Sequence, residues 1–128
     1  MSTKETIETY MAAWNETDEA KIRSLLEKCW ADDGTYTDPM SDVKGRDALV
    51  ATITGLHTAV PGISLAPTGA FDEHHGRIRF GWKVAGGAPE RLAAFPETAL
   101  AGIDVGVLAA DGRLQSITGF WGVNPPAG

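Results

Sequence analysis

Asp104 stands in the middle of LAGIDVGVL, where apolar and small residues alternate on both sides and no lysine or arginine shares the run. An ionised carboxylate there would lose its hydration without gaining a cation, so it must find a partner or keep its proton. A carboxylic acid that keeps its proton can donate a hydrogen bond to a developing oxyanion, and the glycines at 102 and 106 would leave room for a ligand. The competing reading is a buried aspartate satisfied by backbone or by Arg79 from a neighbouring strand. Asp38 closes TYTD just before Pro39 and shares a strand face with Tyr36. At a pocket wall such a carboxylate can act as a base towards a proton on carbon; otherwise it caps the turn at Ser41 or Asp42. Tyr10 lies on the apolar stripe of a helix one turn before Trp14, the place of a core tyrosine whose hydroxyl needs a partner.

The elements that must position these groups follow from periodicity. Ile7, Tyr10, Met11 and Trp14 recur at helical spacing, with Ser2 and Glu5 placed as a capping box. After a break at Asn15 to Asp18, Ile22, Leu25, Leu26, Cys29 and Trp30 form a second apolar stripe. Asp32-Asp33-Gly34 reads as a turn into a short extended piece, Thr35 to Asp38. A third helix is expected from Arg46 to Val60, stopped by Pro61-Gly62. Beyond Ile63 the period becomes two. Strands are expected over Gly76 to Ala85, Leu100 to Ala109 and Leu114 to Val123, the last two joined by a tight turn at Ala110-Asp111-Gly112. Helices first and an antiparallel meander after them predict an α+β domain spanning 1–128, with the helices on one face of a curved sheet. Both faces of the Asp104 strand are apolar, so a second copy of the chain is expected to cover the outer one, as a homodimer through the sheet.

Composition narrows the partners. With 11 Lys and Arg against 17 Asp and Glu, the net charge of −6 disfavours nucleic acid and anionic membranes and favours a neutral or cationic small ligand. The polar opening MSTKETIETY has no signal-peptide or membrane character, which predicts a cytoplasmic location. The single cysteine, Cys29, falls in an apolar stripe and reads as a buried thiol. Trp14, Trp30, Phe80, Trp82, Phe120 and Trp121 supply enough rings to line a cavity for a flat apolar ligand. His57 reads as a packed or mouth-lining histidine, and His74-His75 as solvated turn residues with no ligand spacing for a metal.

The segments ETYMAAWNETD, ADDGTYTDPMS and LAGIDVGVL, in that order and spacing, resemble the catalytic parts of a ketosteroid isomerase on the cone-shaped NTF2-like (SnoaL-like) fold. The resemblance runs over Ile7 to Val60 and Leu100 to Asn124 and is weak between. It implies three helices and a curved antiparallel sheet enclosing an apolar cavity. It implies Asp38 as the base, with Tyr10 and a neutral Asp104 as donors to the enolate oxygen, and no metal or organic cofactor. Trp14, Tyr36, His57, Phe80, Trp82 and Trp121 are expected against the substrate; the resemblance makes Trp121 the pocket aromatic of the last strand, and Phe120, of opposite orientation, is expected at the dimer face. The insertion GGAPERLAAFPET, Gly86 to Thr98, departs from the family and is expected to pass over the cavity mouth, where Arg91 and Phe95 would reshape the substrate space. Two other readings stand beside the isomerase. One is a ligand-binding module of the same fold without turnover. The other is a polyketide-cyclase-like enzyme, which would need an acid on the last strand, where Leu114 to Val123 has none; an epoxide-hydrolase set around Arg79 lacks its R-x-D.

Overall fold

The capping box at the start of the chain forms as expected: the Ser2 hydroxyl accepts from the Glu5 N–H, and the Glu5 carboxylate accepts from the Ser2 N–H. A computed structural model describes residues 1–127. Helix α1 (Thr3–Asn15) buries Ile7, Tyr10, Met11 and Trp14, and α2 (Glu19–Cys29), capped by Asp18, buries Ile22, Leu26 and Cys29. The stripes are the predicted ones. Trp30, however, has left the helix and opens strand β1 (Trp30–Asp38), which is longer than the extended piece expected there.

The turn signal Asp32-Asp33-Gly34 is spent on an irregularity within β1, whose register against the last strand shifts between Trp30 and Thr35. The Trp30 indole folds back over Gly34, where a Cβ would come within 2.5 Å of its Nε1. Arg46 and Arg113 then both donate to the Trp30 carbonyl, at 2.8 and 3.4 Å, and both pair with Asp32. Two guanidiniums thus satisfy backbone that a regular ladder would have satisfied. After Pro39-Met40 the chain reverses into β2 (Ser41–Lys44), and Gly45, at φ 89°, turns it into α3 (Arg46–Ala59).

The remaining strands are β3 (Ser64–Pro67), β4 (Asp72–His74), β5 (Arg77–Gly86), β6 (Ala101–Leu108) and β7 (Leu114–Trp121), in the order β2-β1-β7-β6-β5-β3 with β4 also on β5. The sheet is mixed, which corrects the all-antiparallel expectation. β5, β6 and β7 alternate in direction, but β7 lies parallel to β1. A parallel pair needs a long crossover, and everything between these two strands supplies it. α1, α2 and α3 cover one face of the sheet, building a core around Tyr10, Trp30, Leu26, Leu49, Ile53, Leu114 and Ile117. The Asn15 side chain pairs with both backbone groups of Leu65, at 2.9 and 2.7 Å, and so closes the outer edge of β3. The insertion is ordered as a short helix, α4 (Pro89–Leu92), and a 3-10 turn (Glu97–Leu100). Among the described residues no helix is long and apolar enough to cross a membrane.

Candidate active site

Asp104 occupies the inward phase of β6, and the register decides its surroundings. Phe80 of β5 lies directly opposite on one side and Gly119 of β7 on the other. Its residue exposure is 7%. Arg79, the cation considered from sequence, points to the other face and pairs with Asp72 at 3.1 Å. The partner is instead Trp82, whose indole N–H donates to Asp104 Oδ1 at 3.0 Å. Burial pushes the Asp104 carboxyl up to about 7, aided by the nearby Asp38 charge and opposed by the Trp82 bond. An indole N–H only donates, so Oδ1 is held as the acceptor and a proton on this acid belongs on Oδ2.

The glycines beside Asp104 serve a different end from the one read in the sequence. A Cβ on Gly102 would lie 2.4 Å from the Trp82 ring and 2.2 Å from the Phe120 carbonyl, and one on Gly106 would strike Ser116 and Ile117. They admit protein, not ligand. Gly119 also makes room for protein, since a Cβ there would meet Asp104 Oδ1 at 2.9 Å and Asp38 Cβ at 3.5 Å, but unlike the other two it lines the cavity. The two carboxylates therefore flank one glycine, placed by pairing β1 and β6 on either side of β7.

Asp38, half-buried at the end of β1, has a donor on each oxygen. The Tyr36 hydroxyl donates to Oδ2 at 2.5 Å, and the Met40 N–H donates to Oδ1 at 2.8 Å. The turn reading and the pocket reading both hold, although the capped group is Met40, not Ser41 or Asp42. Tyr36 is kept a phenol by burial and by Asp38, which together push it well above its ordinary range. Tyr10 is also raised well above its ordinary range, first by burial and then by Asp104 and Tyr36. Its ring stacks on Trp30 at a centroid distance of 5.7 Å, and its buried hydroxyl donates to no acceptor among the described residues.

These groups meet in one cavity of about 350 Å³, small within the range of about 300–1,000 Å³ usual for ligand sites. Tyr10, Asp38 and Asp104 all line it, as do Trp14, Tyr36, Trp82 and Trp121. Two of the residues expected against substrate are elsewhere. Phe80 packs into the core against Tyr10, since it lies beneath the carboxylate it opposes. His57 donates from Nε2 to the Trp14 carbonyl at 2.7 Å, so it anchors the end of α1. The insertion contributes Leu92 and Phe95 to the wall, and Ala99 and Leu100 just after it add to them, while Arg91 turns away to the Ala59 carbonyl at 3.4 Å. Gly119 and the Trp82 bond escaped sequence reading; a glycine inside the apolar alternation ITGFW was the available signal for the first.

No curated protein matches the chain. The family model described as the SnoaL-like domain matches residues 7–117. A protein from Agrobacterium tumefaciens, assigned as an isomerase of the SnoaL-like family, is 30% identical over 94% of this chain and 97% of its own, with a TM-score of 0.78. A protein from Sinorhizobium meliloti, assigned as a polyketide cyclase, is 15% identical over 93% and 99% of the two chains, with a TM-score of 0.69. A protein of ketosteroid-isomerase-like fold from Catenulispora acidiphila, solved with trimethylamine, is 18% identical over 94% and 88%, with a TM-score of 0.68. The last two likenesses show the fold alone. With most of its length matched by one family model and a 30% identical relative along nearly the whole chain, this protein belongs to the SnoaL-like family, on the NTF2-like fold.

Proposed function

We propose that the chain is a ketosteroid-isomerase-like enzyme that shifts a proton next to the carbonyl of a small apolar cyclic ketone. The observation that carries this reading is the pairing, in one ring-lined cavity, of an acid that burial holds protonated up to about neutral pH with a carboxylate whose position is fixed by two donors. No Lys, Arg or His lines that cavity among the described residues, so charge on an enolate oxygen must be met by neutral donors. Tyr10 and Asp104 Oδ2–H are such donors, and neither is spent on another protein acceptor. Asp38 removes the proton from carbon, the dienolate oxygen is held by Tyr10 and Asp104, and Asp38 returns the proton to another carbon on the same face. The small cavity and the wall formed by Leu92, Phe95 and Leu100 favour a compact ring system. The exposed apolar residues Val105, Val107 and Phe120 on the outer face of the sheet fit a homodimer formed there.

A phenolic mimic of the dienolate separates the roles. Asp38→Asn should keep binding an equilenin-like naphthol, because the base does not hold the oxygen, while abolishing turnover of the matching ketone. Asp104→Leu should weaken the naphthol by about tenfold or more, the worth of a hydrogen bond to a charged group. Turnover surviving in Asp38→Asn would end the isomerase reading.

A further inference from the structure

We propose that the same cavity binds small apolar ammonium ions, with the cation held beside the carboxylates of Asp38 and Asp104, which flank Gly119, and the wall rings around it. This goes beyond the isomerase reading and does not depend on turnover. The charged side chains that line the cavity are two acids, Asp38 and Asp104; the other titratable groups there are the phenols Tyr10 and Tyr36. No cation of the protein faces them among the described lining residues. An anion would meet two carboxylates, whereas a cation between them relieves their mutual repulsion.

Gly119 lets the two carboxylates share one wall. Its backbone is not in the left-handed region, so nothing in its conformation calls for glycine. What glycine leaves is room for the Asp104 carboxylate, since a Cβ there would lie 2.9 Å from its Oδ1 and 3.5 Å from Asp38 Cβ. Trp82, Tyr36 and the Met40 N–H fix the two carboxylates through one bond each on Asp104 Oδ1, Asp38 Oδ2 and Asp38 Oδ1, which leaves further lone pairs to accept. Tyr10, 1% exposed, adds a further ring to the same wall. Trp14, Trp82 and Trp121 line the cavity with indole rings, the ring type that attracts organic cations most strongly.

Benzyltrimethylammonium and its uncharged carbon isostere, neopentylbenzene, test this by titration of tryptophan fluorescence at pH 8, above the value of about 7 to which burial pushes the Asp104 carboxyl. The cation should bind about tenfold or more tightly than the isostere. That preference should vanish in the shape-conserving double variant Asp38→Asn/Asp104→Asn, and Gly119→Ala should weaken the cation by about tenfold or more, with folding checked by circular dichroism. Equal binding of the two ligands to the wild type, or a preference that survives in the double variant, would overturn the proposal. Proton exchange into ketones, measured separately, distinguishes the readings: exchange without charge preference removes this inference and leaves the isomerase, and the opposite pattern does the reverse.

Discussion

Replacing Asp104 by Asn removes a titrating group while keeping its shape and its acceptor for Trp82. The carboxyl lies at about 7 in the folded chain against an ordinary 3.8, so between these values the folded state carries a proton that the unfolded state has lost. Stability from this group is therefore complete below about pH 4, falls as pH rises, and is gone above about pH 7. The gap is a little over three pH units, and at about 1.4 kcal/mol each it corresponds to about 4 kcal/mol, of which about 3 falls between pH 5 and pH 8. Against a typical domain stability of about 5–15 kcal/mol this is easily seen. Urea unfolding of wild type and Asp104→Asn at both pH values isolates it, because other titrating groups cancel in the difference. The Asn variant should gain about 3 kcal/mol over wild type on going from pH 5 to pH 8. A difference that stays flat would mean that Asp104 is ionised throughout, and the neutral-acid reasoning for the site would fail with it.

Trp82→Phe removes the donor that favours the ionised form of Asp104, so its carboxyl should titrate higher still, read directly by ¹³C NMR of the labelled aspartate; an unchanged titration would show that the indole bond has no electrostatic weight. Asn15→Ala takes both backbone partners from Leu65 and should cost about 1–3 kcal/mol, with faster amide hydrogen exchange confined to β3. Burial pushes the Cys29 thiol up to about 12, so an aromatic disulfide reagent at pH 8 should react only after denaturant is added; prompt reaction in native buffer would contradict the packing of α2.

The parts of this molecule that were legible in the sequence are those governed by local period. The apolar stripes of Ile7 to Trp14 and Ile22 to Cys29, and the alternation around Ile78 and Asp104, recur in the structure because a helix or strand face is set by neighbours three, four or two residues away. That alternation marked Asp104 as a carboxyl in apolar surroundings, although two apolar faces did not say which one is inward. Its partner was not legible, because Trp82 reaches Oδ1 only through the β5–β6 register and the room left by Gly102. The same limit explains the parallel pairing of β1 with β7, a contact between the two ends of the chain. Asp32-Asp33-Gly34 misled for a related reason: residues that favour a turn also favour a break in a strand, and it is Arg46 and Arg113, distant in sequence, that hold this one as a break. His57 illustrates the reverse case, a reactive side chain whose place on a helix edge is explained by one carbonyl of another helix.

The central claim is proton abstraction from carbon by Asp38, and deuterium wash-in tests it most directly. Wild type and Asp38→Asn are incubated in heavy water with a panel of cyclic ketones that includes a β,γ-unsaturated steroid, and incorporation is followed by NMR. The account predicts exchange next to the carbonyl with wild type, fastest for the ring systems that fit the cavity, and none above background with Asp38→Asn. Absence of exchange across the panel, or exchange indifferent to Asp38, would contradict it.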